Sequence, residues 1–220
     1  MKEIDLNTWN RREHFGFFRR ADLPFYNVTA PVAVTGLAQY ARARGWSLNH
    51  LLVFLTVQAM NRIDNFRYRL RGEKVVLHDR LHPSFAHLKP GEELFRMITL
   101  DCGDDPARFD AHCKAAIQAS QAYFDLSAFQ GRDDFVFISA LPWIGFTGVD
   151  HTLSLKKEDA IPRVSWGKLQ TQDGQELLPY NVQVNHLFVD GLHVGRFFQT
   201  LEALAQAVQQ GSLPETGPRL

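Results

Sequence analysis

Cysteine is scarce: the 220-residue chain carries only Cys102 and Cys113, in no metal-like pattern, and they read as two reduced thiols of a cytoplasmic protein. No apolar run reaches the ~18–20 residues needed to span a bilayer. The opening stretch MKEIDLNTWNRREHF is charged where a signal peptide has its apolar segment. A charge imbalance is missing as well. With 24 basic and 24 acidic residues the formal net charge is 0, so there is no dense basic footprint for nucleic acid or an anionic membrane. No repeat, low-complexity tract or Pro/Gly/Ser-rich linker divides the chain. The expectation is one domain over residues 1–220, frayed after Gly211. A phosphate-cradling Gly-rich loop is also absent. His82 and His87 fall on opposite faces of a strand and His193 lies across a turn from His186, so no metal site is expected.

What the chain does have is apolar material, 45% of residues, enough for one sizeable core. PFYNVTAPVAV, from Pro24 to Val34, reads as a strand with a proline irregularity. TGLAQYARARG follows as a short helix stopped at Gly45. Ser47 is a candidate N-cap for LNHLLVFLTVQAMNRI, a helix apolar nearly all round and so buried. FRYRL and KVVLHD form a hairpin, and PSFAHL and ELFRMITLD read as two more strands. Pro106 to Phe124 has helical spacing with proline in the first turn. DDFVFISALPW is a strand running into a Pro-Trp corner, with Trp143 and Trp166 expected to pack from strand positions. RVSWGKLQTQDGQELLPYNVQVNHLFV is two strands joined at Asp173-Gly174, a type I′ signal. From Leu192 onward, Val194, Phe197, Phe198, Leu201, Leu204, Ala205 and Val208 mark the inner face of a last helix. Mixed helices and strands, antiparallel late in the chain, give an α/β two-layer sandwich with a mixed sheet.

In VQVNHLFVDGLHVGRFF a buried-looking strand ends on His186, and Asp190-Gly191 turn into the last helix. On spacing alone Asp190 can simply cap that helix beside a satisfied core histidine. The same residues also suit chemistry, since a histidine facing a cleft can take a proton from a hydroxyl. A buried Asp190 then needs a cation, and the arginines of NTWNRREHFGFFRR are the candidates.

Three stretches, in order, settle which reading to carry forward. IDLNTWNRREHFGFF, FISALPWIGFTGVD and NVQVNHLFVDGLHVGRFF together resemble the chloramphenicol acetyltransferase family over nearly the whole chain. The last matches a signature normally written His-His-x-x-x-Asp-Gly-Phe-His-Val. The resemblance implies the family's CoA-dependent acyltransferase fold, acetyl-CoA as co-substrate, no metal, and a small hydroxylated acceptor. It implies a homotrimer in which the catalytic histidine of one subunit faces a pocket contributed largely by its neighbour. By position, His186 becomes the general base, with its ring hydrogen-bonded to its own main-chain carbonyl. Asp190 becomes structural, paired with Arg11. Ser139 would donate to the oxyanion of the tetrahedral intermediate, an effect of ~2.7–4 kcal/mol. Ser165 stands where the family carries a threonine. His193 is a packing residue at the helix start.

The chain departs from the family at four places. Asn185 replaces the first histidine of the pair, Phe18 a tyrosine, Phe137 an asparagine and His151 an apolar residue. Three of these touch acceptor recognition and none is the base, so the reaction type is better supported than chloramphenicol as acceptor. Phe17, Phe18, Phe25 and Phe129 suit an apolar acceptor pocket and equally suit plain core. Two functions follow. One is an acetyl-CoA-dependent O-acetyltransferase acting on chloramphenicol or a similar small molecule. The other is a non-catalytic trimeric small-molecule-binding protein of the same fold.

Overall fold

Local chemistry sets the first half of the chain. In the computed structural model, which describes residues 1–153, 156 and 158–213, a two-residue strand β1 (Lys2–Glu3) leads to helix α1 (Arg12–Phe18). Strand β2 (Phe25–Ala33) follows, its Pro31 tolerated because β2 is the edge of its sheet. Gly36, at φ +79°, opens helix α2 (Leu37–Ala43). The Ser47 hydroxyl accepts from the His50 N–H and starts α3 (Leu48–Asn61), buried without a break from His50 to Met60. A single turn, α4 (Asp64–Arg67), runs into the expected hairpin β3 (Tyr68–Arg71) and β4 (Lys74–Leu77). With β1 these form a small sheet of order β1-β4-β3.

The main sheet begins with β5 (His82–His87) and β6 (Arg96–Thr99). Helix α5 (Pro106–Ala119) carries proline in its first turn, and the Asp105 carboxylate accepts from the N–H groups of Ala107 and Arg108. It stops short of the expected Phe124. Beyond Ala119 the chain is held extended along β6: the Met97 N–H donates to the Tyr123 carbonyl, Arg96 donates to the carbonyls of Ser120 and Gln121, and Phe124 is exposed.

Strand β7 (Phe135–Ala140) ends before the Pro-Trp corner, which leaves Trp143 66% exposed rather than packed; Trp166 is buried as expected. The anticipated two late strands are three: β8 (Arg163–Trp166), β9 (Gln170–Gln172) and β10 (Gln175–Asn185). The break falls at Gly167, where a Cβ would lie 2.7 Å from both the Ile144 carbonyl oxygen and a Pro179 carbon. Asp173 and Gly174, at φ 49° and 78°, make the expected tight turn between β9 and β10. Helix α6 (Gly191–Gln209) closes the described fold. Residues 214–220, most of the tail expected to fray, lie outside the described residues.

The main sheet has the order β2-β10-β8-β7-β5-β6, with β9 added on β10. β5, β7 and β8 run parallel, whereas β10 runs antiparallel to β2 and β8. Helices α5 and α6 each pack against α3, and all three against the sheet, giving the two-layer α/β sandwich. Along β10, Leu178, Tyr180, Val182 and Val184 join the apolar core. Alternate residues Asn181, Gln183 and Asn185 point to the opposite face, yet they are only 0%, 2% and 3% exposed. Alternation of this kind usually marks a wet face. Here both faces of the strand are buried.

Candidate functional site

β10 delivers His186 one residue past its end, onto a turn whose peptide groups are gripped by side chains from elsewhere. The His186 N–H donates to the Pro24 carbonyl at 2.7 Å. Arg11 donates from Nη2 to the His186 carbonyl (2.9 Å) and from Nε to the Leu187 carbonyl (2.8 Å). Asn65 donates to the Phe188 carbonyl at 2.6 Å, and the Tyr26 hydroxyl donates to the Val189 carbonyl at 3.3 Å. The Asp190 N–H donates to His193 Nδ1 at 2.9 Å, so His193 has a capping task beyond packing. A turn with so many carbonyls occupied keeps one shape.

Arg11 also binds Asp190 in a bidentate pair within the same chain, with 2.5 Å from Nη2 to Oδ1. Burial pushes the Asp190 carboxyl up, but hydrogen bonds and charge from Arg11, aided by His193 and His186, hold it below its ordinary value. Asp190 is therefore both the helix cap and the arginine's partner. The two sequence readings of this residue are compatible.

The His186 side chain is 32% exposed and lies flat on Phe18, ring centroids 3.8 Å apart and 13° from parallel. Tyr26 closes a second side at 4.7 Å, its hydroxyl pushed up to about 12 by burial and by the Asp190 charge. Phe17 meets Phe18 edge-on but is itself 71% exposed, so it is not core. Phe25 is half-buried. The expected bond from the His186 ring to its own carbonyl is not made; that carbonyl accepts from Arg11 instead. Nδ1 is buried without a hydrogen-bond partner, and Asp190 Oδ1 lies 3.1 Å away out of hydrogen-bonding alignment.

The other predicted residues gather elsewhere. Strand register sets Ser139 beside Ser165, Ser165 beside Asn181, and Asn181 beside Thr29, one row across four strands. A second row on the same face runs Phe137, Arg163, Gln183, Asn27. His151 covers these rows: its backbone N–H donates to Gln183 Oε1 at 3.1 Å, and its Nε2 meets Asn181 Oδ1 at 3.0 Å. Burial lowers the pKa of His151, partly offset by that Asn181 bond. Phe129 packs on Phe135 and Phe137, with ring centroids 5.2 and 6.0 Å apart.

Within one chain the two groups do not meet. His186 lies five residues beyond Asn181, which is two strands from Ser139. Five rises of ~3.3 Å along the strand and two spacings of ~4.8 Å across the sheet separate the Cα atoms by roughly 19 Å. A base and an oxyanion donor must both come within about 3 Å of one reacting centre. Tyr26, Asn65, Asn181, Gln183 and Arg163 escaped the sequence reading. For Asn181 and Gln183 a signal existed, the strict alternation in NVQVN; for Tyr26 and Asn65 no local pattern distinguishes them.

Among the described residues no group of three His, Cys, Asp or Glu side chains could hold a metal ion, and no helix is long and apolar enough to cross a membrane. Both cysteines are buried and free.

A family model for chloramphenicol acetyltransferase matches residues 1–202. Chloramphenicol acetyltransferase 2 of Escherichia coli is 30% identical over 208 residues, covering 93% of this chain and 97% of its own. The chloramphenicol acetyltransferase of Clostridium perfringens is 29% identical, covering 92% and 93%. Among solved structures, a chloramphenicol acetyltransferase matches with a TM-score of 0.83 at 26% identity, covering 92% of this chain and 99% of that one. A dihydrolipoamide acetyltransferase of Azotobacter vinelandii, at 17% identity and a TM-score of 0.66, shares the fold.

Proposed function

The chain belongs to the chloramphenicol acetyltransferase family and is an acyltransferase, and from that premise we propose acetyl transfer from acetyl-CoA to a hydroxyl of chloramphenicol or a similar small molecule. His186 is the general base. With Nδ1 buried, Nε2 takes the proton of the acceptor hydroxyl as that oxygen adds to the thioester carbonyl carbon. Phe18 and Tyr26 hold the ring's plane, and the Arg11–Asp190 pair holds the turn beneath it. The Ser139 hydroxyl donates to the oxyanion, assisted by Ser165 beside it. On collapse the C–S bond breaks, and the imidazolium returns its proton to the departing thiolate. No cysteine takes part, since burial pushes both thiols well above their ordinary range.

The observation that carries this reading is the separation of His186 from Ser139 in one chain. It supports a homotrimer, each site uniting the His186 side of one subunit with the Ser139 side of the next. Phe17, Phe18, Phe129, Phe137 and His151 then wall the acceptor pocket from both sides. A cavity of about 570 Å³ starts at Ala140, next to Ser139, and is lined by Leu48, Pro142, Trp143, Trp166 and Leu169. It suits the pantetheine arm of CoA.

Thiol release from acetyl-CoA with a panel of alcohols tests the activity. No release with any acceptor from a folded trimer would leave the binding-protein reading. Mixing tests the shared site. His186→Ala and Ser139→Ala chains, each inactive alone, should regain about a quarter of wild-type activity when refolded together, since that share of trimer interfaces joins two intact halves. No recovery in a mixed trimer places both residues in one subunit's site and overturns the shared-site reading.

A further inference from the structure

We infer that Asn185 is a positioning residue for the His186 imidazole, tying the catalytic turn to the segment that leads into β8. The inference rests on His186 being the base. Asn185 is 3% exposed, and its two side-chain functions face different parts of the chain. Oδ1 accepts from the Leu187 N–H at 2.9 Å, fixing the peptide on the far side of His186. Nδ2 donates to the Asp159 carbonyl at 3.0 Å. The Asp159 carboxylate in turn accepts from Arg163 Nη2 at 2.5 Å and from the Ile161 N–H at 3.2 Å. The Asn185 carbonyl meanwhile accepts from the N–H groups of Phe188 and Val189, at 3.2 and 3.1 Å, closing the turn.

His186 thus has a fixed peptide on each side, its own N–H on Pro24 and the next N–H on Asn185. Its ring contacts are Phe18, Tyr26 and the Asp190 carboxylate, whose Oδ1 lies 3.1 Å from Nδ1 but out of hydrogen-bonding alignment. With no aligned hydrogen bond on Nδ1, the backbone shares with these contacts the task of aiming the ring. A small rotation of the 186–187 peptide would slide the imidazole off Phe18, and misplacement by an ångström at a reacting group costs on the order of 10²-fold in rate. An imidazole at position 185 carries one acceptor nitrogen and one N–H donor, the same pair of functions as the asparagine amide.

The test compares Asn185→Leu, which keeps the branched heavy-atom outline and removes both bonds, with Asn185→His. Two readouts are taken on folded, assembled protein. The first is kcat and KM for the best acceptor. The second, independent of activity, is the upfield ring-current shift of the His186 ring protons against Phe18, assigned by its loss in His186→Gln. Asn185→Leu should lower kcat by about 10–100-fold with KM within about twofold, and should weaken the ring-current shift. Asn185→His should restore both. Unchanged kcat and ring-current shift in folded Asn185→Leu would overturn the inference. If wild type releases no CoA, the acetyl-transfer reading fails, and the NMR comparison alone then decides whether Asn185 sets the ring. Should Asn185→Leu not fold, Asn185→Ser is measured in its place, with the same outcomes for and against.

Discussion

The His186 turn and the Ser139 row, the two halves of the proposed site, are built by opposite means. Around His186 a turn is held by side chains from three distant places, Arg11, Tyr26 and Asn65, and by nearby His193. Around Ser139 almost nothing special is needed, because strand register alone lines up Ser139, Ser165 and Asn181. The difference suits the tasks proposed for them. A base must present one nitrogen in one direction, so its ring plane and its peptide both need restraint. An oxyanion donor needs a fixed point that does not move as charge develops, and a sheet provides such a point.

That contrast can be broken at its strongest point first. His186→Ala should cost roughly 10²–10⁴-fold in turnover and leave the fold intact, since the ring is partly exposed. Near-normal kcat would remove His186 as the base. Ser139→Ala should cost about 10²–10³-fold in kcat with little change in stability, as checked by initial rates beside a denaturant titration. Arg11→Ala should reverse the pattern. It strands a partly buried carboxylate and frees two carbonyls of the turn, so unfolding free energy should fall by about 3 kcal/mol. If Arg11→Ala unfolds like wild type, the turn is held by something other than this pair. Tyr26→Phe sharpens the comparison further, removing one long hydrogen bond for about 1 kcal/mol or less.

The mildest effect is on pH. Burial is the largest cause lowering the pKa of His50, His82, His87, His151 and His193 below 6.5. The unfolded chain therefore binds protons that the folded chain resists. Stability should decline as pH falls through about 6.5. Asp190, held below its ordinary value, adds a further loss once pH drops through the carboxylate range. Thermal melts from about pH 7 to about pH 5.5 should show a falling Tm; a flat or rising Tm would contradict the sign.

Much of this was legible in the residues. Ser47, Pro106 and Asp173-Gly174 announce their helix starts and turn through local chemistry, and the structure has each in place. His186, Asp190 and Arg11 were found by motif, and the structure joins Arg11 to Asp190. Long-range events were not legible. The helix starting at Pro106 ends at Ala119 because β6 captures the chain beyond it, which no periodicity within the helix foretells. Trp143 is exposed because β7 stops at Ala140. The expected ring-to-carbonyl bond of His186 is not made, and its carbonyl instead accepts from Arg11, far away in sequence.

The doubly covered strand β10 has a consequence for fidelity of assembly. Sliding it by a single residue against β2 would drive three amides into hydrocarbon and turn four greasy side chains toward amides and hydroxyls. Most strands are proofread on one side only. This one is checked on two, so the imidazole at its tip inherits its handedness from an error-intolerant alignment many residues upstream.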